Sequence, residues 1–524
     1  MRADRSSGRL RGVTRSLAAS LLAAAVAAAC TQSGPTPTPR PTAPPPGAPP
    51  SAAVPGLWSV TAFGARGDAV HDDTAAFQRA VDAAGAAGGS VLVPPLPGGR
   101  GYVIAGTVRV PAAVSLIGGL AGFGNNVEGP IPEAQIKGSK ILARPSALHQ
   151  PLFQLERGTT VRGLWISYDQ QPMPSDQEFQ DPSSPFHYPS FAAARAGFVR
   201  DHVKADGPTF YIPTGANVVV EDIVADRYYD FLYLKAGARL QVDRLQLYGY
   251  ERGFVIEDSR DVDRLSHVLY VPASGPVPFG RQGDRTWSWI YGIIASQPGN
   301  VVIQAGRADG WELHDIYIFG AHTGIQIGAS AAFPIVDPVS GSTFTDTAPN
   351  TGPWGQLSNI GLDQTVVGLH FVWPDGIGTQ IADLEMYPGL SDGSLYRAAT
   401  GSGDLRRVAA QAAFLFEPTF SEANAGPLIP SVLASNVSVF GVKDAAHFAG
   451  AAATPSEANG RLFLVGGDLS MEISSLSTLG YDARHLLAAA PTAGAVSIRV
   501  RGYLNAGRPQ SDLRLDKSGV RSLP

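Results

Sequence analysis

The sequence predicts an all-β protein in which short strands wind into a stack of parallel coils. Internal repetition, period-two alternation and composition carry this reading. VEDIVAD (220–226) and VDRLQLY (242–248) lie 22 residues apart, and VDRLSHV (262–268), LHDIYIF (313–319), LSNIGLD (357–363) and ADLEMY (382–387) repeat their pattern. A second short strand follows about nine residues on, as FLYLKAG, GFVIEDS, GIQIGAS and GLHFVWP. Units this short cannot bury a face alone and gain a core only by stacking on their neighbours. Sixty glycines and 16% charged residues in 524 describe a turn-rich β chain, and the length suits a repeat stack better than one ordinary domain.

Alternation assigns faces. Ile223/Ala225, Leu245/Leu247, Leu265/His267, Ile316/Ile318, Ile360/Leu362 and Leu384/Met386 are expected to point inward on one sheet. Leu232/Leu234, Phe254/Ile256, Ile325/Ile327 and Leu369/Phe371 do the same on a second. Burying one such side chain is worth about 1.5–3 kcal/mol, so these columns hold the stack together. The outward columns, with Asp222, Arg244, Arg264, Asp315, Asn359 and Asp383 in one of them, are where function is sought.

The start of the stack reads as a cap. Asp72-Asp73-Thr74 supplies an N-cap and first-turn acids, and Phe77, Ala80, Val81 and Ala84 then recur at helical spacing. Gly85, Gly88 and Gly89 end the helix, and SVLVP, YVI and TVRV follow as β-branched runs of strand length. Phe63-Gly64-Ala65, Gly67-Asp68, Asp72-Asp73-Thr74, Ala75-Ala76-Phe77, Gly88-Gly89, Val91 to Pro94 and Leu116-Ile117-Gly118 resemble the N-terminal signature of the pectate-lyase superfamily, the group often labelled glycoside hydrolase family 28-related. The resemblance implies a right-handed, single-stranded parallel β-helix of the pectin-lyase type over residues 56–524, with an N-terminal cap helix. It names a fold more firmly than a reaction.

Upstream, Arg2, Arg5, Arg9, Arg11 and Arg15 precede an apolar run over 17–29 and then Cys30, the order of a secretory signal peptide over 1–30. The run is too short to span a bilayer. VAAAC resembles a bacterial lipobox, which implies lipidation at Cys30 and a membrane anchor; ordinary cleavage and secretion is the other reading. Residues 31–55 are Pro/Thr-rich and form an extended spacer. A net charge of −5, with no Lys/Arg cluster in the folded part, excludes nucleic acid as the expected partner.

Two long insertions interrupt the coils, at 168–211 and 271–299. Aromatic faces beside carboxylates and amides suit sugar rings, so Trp287, Trp289, Tyr291, Tyr248 and Trp373 are candidate substrate contacts; the same rings would also serve simply to cover a sheet face. Glycoside hydrolysis needs one carboxylic acid and one carboxylate, and Glu257, Asp258, Asp315, Asp363 and Glu385 are the candidates. A surface charge ladder is the competing reading for the column containing Asp315. GAHTGIQIGAS (320–330) is faintly similar to the Gly-His-Gly strand of polygalacturonases, offset by one residue, and their other catalytic elements are not visible. A lyase acting on a uronate polymer would need a base plus Ca²⁺ or Arg, for which RDVDR (260–264), RQGDR (281–285) and Lys235 are the available parts. Hydrolysis needs no cofactor, and no His or Cys spacing marks a metal site. A non-catalytic glycan-binding or adhesin β-helix is the third reading. Such a stack is compatible with a trimer, though no residue demands one.

Overall fold

The computed structural model describes residues 55–119, 138–273, 289–346, 353–372, 378–389, 408–418, 431–441 and 459–522, all within one unit, 52–524. Cys30, Trp287 and Trp373 lie outside the described residues, as do the signal segment, almost all of the spacer and RQGDR. No helix among the described residues is long and apolar enough to cross a membrane.

The chain is a parallel β-helix, with 52% of residues in strands and one large, almost wholly parallel sheet system. Long strands run through the corners of each turn, as in Val219–Ala238, Gln241–Ser259 and Val301–Ile327. In the first sheet, Val220, Val242, Leu265, Leu313, Leu357 and Ile381 stack in register. The second sheet stacks Leu164, Ile223, Leu245, Val268, Ile316, Ile360, Leu384 and Val437. The third stacks Phe210, Leu232, Phe254 and Ile303, and further along Ile325, Leu369, Phe414 and Phe463. All these side chains are buried in one continuous core. The expected inward pairs are therefore observed, with one exception.

That exception is Leu265/His267. Between the first and second sheets each coil turns through a single residue in the left-handed region: Asp222, Arg244, His267, Asp315, Asn359, Asp383 and Asn436, with φ between 51° and 57°. Asp and Asn tolerate this conformation because their short polar side chains bond locally. His267 takes the bend position, so its ring is exposed, and Val268 and Tyr270 fill the core places instead. Arg264 correspondingly belongs to the first sheet, paired with Gln241 and Glu312, and not to the bend column.

At the N-terminal end helix α1, Thr74–Ala87, buries Phe77, Ala80, Val81 and Ala84 over the first coil. Its aspartates work differently from the expected cap. Asp73 makes no cap bond to the helix but accepts from the amides of Arg66 (2.7 Å) and Gly67 (3.1 Å), tying down the loop before it. Asp72 accepts from the Thr74 amide at 2.9 Å. At the other end, antiparallel pairing of Val496–Val500 with Leu513–Asp516, and of the latter with Gly519–Ser522, breaks the parallel pattern and covers a strand edge that would otherwise template further pairing.

The insertion at 168–211 folds into helices α2, Asp176–Gln180, and α3, Phe191–His202; the second insertion contributes α4, Trp289–Ala295. The three bury Phe179, Phe191, Phe198, Trp289, Ile290 and Ile293 in a satellite core outside the coils.

Candidate functional site: a carboxylate groove on the second sheet

The bend residues place a ladder of polar side chains along one edge of the second sheet. Asn359 donates to Asp315, and Asn436 donates to Asp383 at 2.6 Å. Asp315 is also approached by Nε2 of His267 (3.2 Å) and of His314 (2.9 Å). Beside this ladder lies an open groove of about 730 Å³, floored by Gly361 and walled by Tyr317, Glu385, Tyr387 and Ser438.

The register explains its shape. Tyr317, Gly361, Glu385 and Ser438 occupy the same outward position on successive coils, and Phe319, Asp363 and Tyr387 the next one. Gly361 has no side chain to fill its place. A Cβ there would stand 2.4 Å from Cδ2 of Tyr317, so the tyrosine ring lies across the bare strand. From that position its hydroxyl donates to Asp363 at 3.1 Å. Tyr387 in turn donates to Glu385 at 2.6 Å. Both rings keep a free face, being 42% and 38% exposed.

Burial pushes the Asp363 carboxyl up to about 6, opposed by the bonds from Tyr317 and the Gln364 amide and reinforced by the negative field of Glu385. Tyr387 is pushed up to about 12, first by its bond to Glu385 and then by burial. Asp363 does not itself line the groove but stands behind its wall, bonded to the lining Tyr317 and one coil from the exposed, groove-lining Glu385. Asp315, Asp383 and Glu385 line the groove, and among the described residues no lysine or arginine does.

Three of the five candidate acids, Asp315, Asp363 and Glu385, are brought to this one face. Asp315 is held by the ladder, which leaves Asp363 and Glu385 as the pair facing the tyrosines. Glu257 and Asp258 stand elsewhere, at the edge of the third sheet. Burial raises Glu257, which accepts from Tyr233. Beside it, Asp337 holds Lys235 at 2.6 Å and Tyr211 at 3.0 Å. Asp258 is paired with Arg260 at 3.1 Å. Among the described residues, the segment that covers this edge is 330–346, through Ile335, Val339 and Phe344.

The expected aromatic platform is corrected as well. Trp289 is 7% exposed and is wedged against Phe179 and Phe191 at ring separations of 5.9 and 5.7 Å. Tyr291 packs on Phe319 and donates to Gln364 at 3.3 Å. Tyr248 is buried with Trp165 and Val224. Tyr248 and Tyr291 cover coils of the second sheet and Trp289 belongs to the satellite core, and all three rings are buried. Among the described residues the exposed tyrosine rings are Tyr317 and Tyr387, and the signal of Tyr317 in the sequence was its place one coil from Gly361 in an outward column. Among the described residues, no group of three or more His, Cys, Asp or Glu side chains is arranged to hold a metal ion.

Fold and groove together define a parallel β-helix with a carboxylate-lined outer face. No protein-family model matches the chain, and no curated protein matches it. Among solved structures it is similar to the DFA-IIIase of Arthrobacter chlorophenolicus A6 in complex with GF2, at 10% identity and a TM-score of 0.50, over 84% of this chain and 93% of that one. It is also similar to a hyperthermoactive exopolygalacturonase from Thermotoga maritima (11%, TM-score 0.44, 89% and 95%). A surface adhesin of Streptococcus pneumoniae, PfbA, matches with 11% identity, a TM-score of 0.38 and coverage of 89% and 94%. At these identities the likeness establishes the right-handed parallel β-helix alone.

Proposed function

We propose that the protein is a polysaccharide-degrading enzyme that hydrolyses glycosidic bonds in the second-sheet groove, with Asp363 as general acid and Glu385 as general base. The observation that carries the reading is the raised carboxyl of Asp363 beside Glu385, between two exposed tyrosine rings. Asp363 is level with Tyr387, and Glu385 with Gly361, so the two acids are diagonal neighbours on adjacent coils. A separation of roughly 6.5–9.5 Å between the two carboxyls would admit a water and invert the anomeric centre, and one of about 5–5.5 Å would retain it. Tyr317 and Tyr387 offer ring faces to the C–H faces of sugars on either side of the bond.

The acidic lining of Asp315, Asp383 and Glu385 favours a neutral glycan at this site, because these side chains would repel a uronate carboxylate. The same acidic lining disfavours elimination here, which needs charge stabilisation at the uronate carboxyl. Non-catalytic glycan binding is supported by the openness of the groove and predicts affinity without turnover.

A panel of neutral and acidic polysaccharides decides among these, followed for new reducing ends, for the ultraviolet absorbance of unsaturated uronate and for product anomer by NMR. Hydrolysis is expected, reduced about 10²–10⁴-fold in Asp363→Asn and Glu385→Gln. Near wild-type turnover in both variants, or only unsaturated product, rejects the assignment. We further propose export and tethering through lipidated Cys30; Cys30→Ser is expected to abolish labelling by a fatty-acid probe and release the protein from membranes, and unchanged labelling argues against it.

A further inference from the structure

The bend column separates the second-sheet groove from another on the first sheet. This one holds about 450 Å³, and Gln356, Ser358, Gln380, Ala382, Leu433 and Ser435 are in its lining. Its floor is open because Ala382 and Ser435 follow Ser358 in one outward column, and all three side chains are small. His314 precedes them in that column, one coil before Ser358. Asp315 comes next in the chain, and its left-handed bend (φ 53°) sets its carboxylate beside the ring of its own predecessor.

Three side chains therefore stand in line. Nδ1 of His314 is 2.9 Å from the Ser358 hydroxyl, and Nε2 is 2.9 Å from Oδ2 of Asp315. The bonding fixes the protons. A carboxylate only accepts, so Nε2 carries the hydrogen; in the neutral ring Nδ1 then keeps its lone pair and accepts from Ser358. Ser358 has no other hydrogen-bond partner among the described residues. Asp315 is held from two further sides, by Asn359 and by His267, which is itself anchored on Asp243 at 2.7 Å. A hydroxyl bonded to an imidazole base, with the base oriented by a fixed carboxylate, activates serine for acyl transfer on any fold.

We propose that Ser358, His314 and Asp315 form a second active site, which hydrolyses short acyl esters on the hydroxyls of a glycan. Ser358 Oγ attacks the ester carbonyl and passes its proton to Nδ1 of His314; that proton is then delivered to the sugar oxygen as the ester C–O bond breaks. Water next attacks the acyl-serine and gives a proton to His314, the acyl–Oγ bond breaks, Ser358 takes that proton back and a carboxylic acid leaves. Ester and water become alcohol and acid, with no other reactant. Gln356 and Gln380 line the same groove, and their side-chain amides have no partner among the described residues. Their N–H groups supply the donors for the carbonyl oxygen as it becomes an oxyanion. Among the described residues, Leu433 is the large apolar side chain exposed in this lining, which suits an acetyl-sized group and not a fatty chain. Ser435, Ser474 and the Glu472–Arg501 pair (2.7 Å) make the rest of the lining polar, as a sugar alcohol requires. Asp315 acts through His314 and is a positioning residue. The proposal does not depend on glycosidic hydrolysis in the second-sheet groove.

Two measurements on the full chain test it. One is site-resolved mass spectrometry after a fluorophosphonate probe, which phosphonylates activated serines with loss of fluoride; the other is acetate release from acetylated xylan and from para-nitrophenyl acetate. An adduct at Ser358 is expected, with labelling and acetate release slowed about 10²–10⁴-fold in His314→Gln and both lost in Ser358→Ala. Asp315→Asn is expected to lower kcat toward para-nitrophenyl acetate by a similar factor at unchanged KM, because a misoriented base slows the chemistry without weakening binding. Acetate is counted apart from reducing ends, so failure of glycosidic hydrolysis leaves these readouts intact. No adduct at Ser358, undiminished labelling in His314→Gln, undiminished acetate release in Ser358→Ala, or an Asp315→Asn effect confined to KM overturns the proposal.

Discussion

Asp363 and Gly361 show how much of the groove rests on single side chains. A general acid works only while protonated, so with its carboxyl pushed up to about 6 the activity is expected to fall as pH rises through that value. The check is a pH profile of kcat/KM, and a descending limb that stays put in Asp363→Asn argues against the role. Gly361→Ala is expected to push the Tyr317 ring off the strand, because its Cβ would come within 2.4 Å of the ring. That breaks the bond from Tyr317 to Asp363, one of the contacts restraining its pKa. The descending limb should then move to higher pH, with turnover down about tenfold or more through misplacement of the pair. An unshifted limb with full turnover would mean that the ring position is immaterial. The acids were visible in the sequence as outward residues of one sheet, but nothing in residue order separates Asp363 from Asp315. The distinction comes from the left-handed bend, which commits Asp315 to His267, His314 and Asn359.

At the scale of elements, what the sequence revealed follows from period. Alternation found the inward columns because burial acts on every second residue of every coil. It misplaced His267 because the bend inserts an unpaired residue between two sheets, and VDRLSHV fits two registers equally well until Val268 is seen stacking on Leu245. The insertions carry no such period. Their aromatic residues looked equally suited to sugar or to a core, and packing of α2, α3 and α4 against one another decided for the core. Trp289→Ala is accordingly expected to cost about 3–5 kcal/mol of local stability, read as faster hydrogen exchange in α2–α4 while the coils keep wild-type protection. Unchanged protection in the helices would return Trp289 to the list of surface groups. The cap helix was legible from Phe77, Ala80, Val81 and Ala84, whereas the true task of Asp73, holding the Arg66 and Gly67 amides, depends on a loop that periodicity does not describe.

For the whole molecule, the buried carboxyls set a pH dependence in the same direction as the net charge of −5, whose self-repulsion also eases on mild acidification. Burial pushes Glu251 up to about 7 and Asp263 and Asp363 up to about 6. Between those values and the ordinary carboxylate range the folded chain holds protons that the unfolded chain has released, so stability falls as pH rises through this window. His322 acts oppositely. Burial, with Arg195 and His370 nearby, brings it down to about 4, and below its ordinary value of 6.5 the unfolded chain gains a proton that the folded one refuses. Among the described residues, Glu251, Asp263 and Asp363, with Asp206 and Glu257 raised in the same direction by burial, outweigh His322 and make the melting temperature higher near pH 5 than near pH 7. Further acidification reverses the trend. Asp482, held at about 2 first by its bond from His485, and Asp68, held low first by the His71 amide, contribute stability that is lost once the unfolded carboxylates protonate below about 4. Calorimetric scans from pH 3 to 8 should therefore show a maximum near about pH 5, and Glu251→Gln should flatten the side above it. A melting temperature that climbs steadily from pH 5 to 8 would mean that these three carboxyls ionise in the folded chain as readily as in water, and the acid role of Asp363 would fall with them.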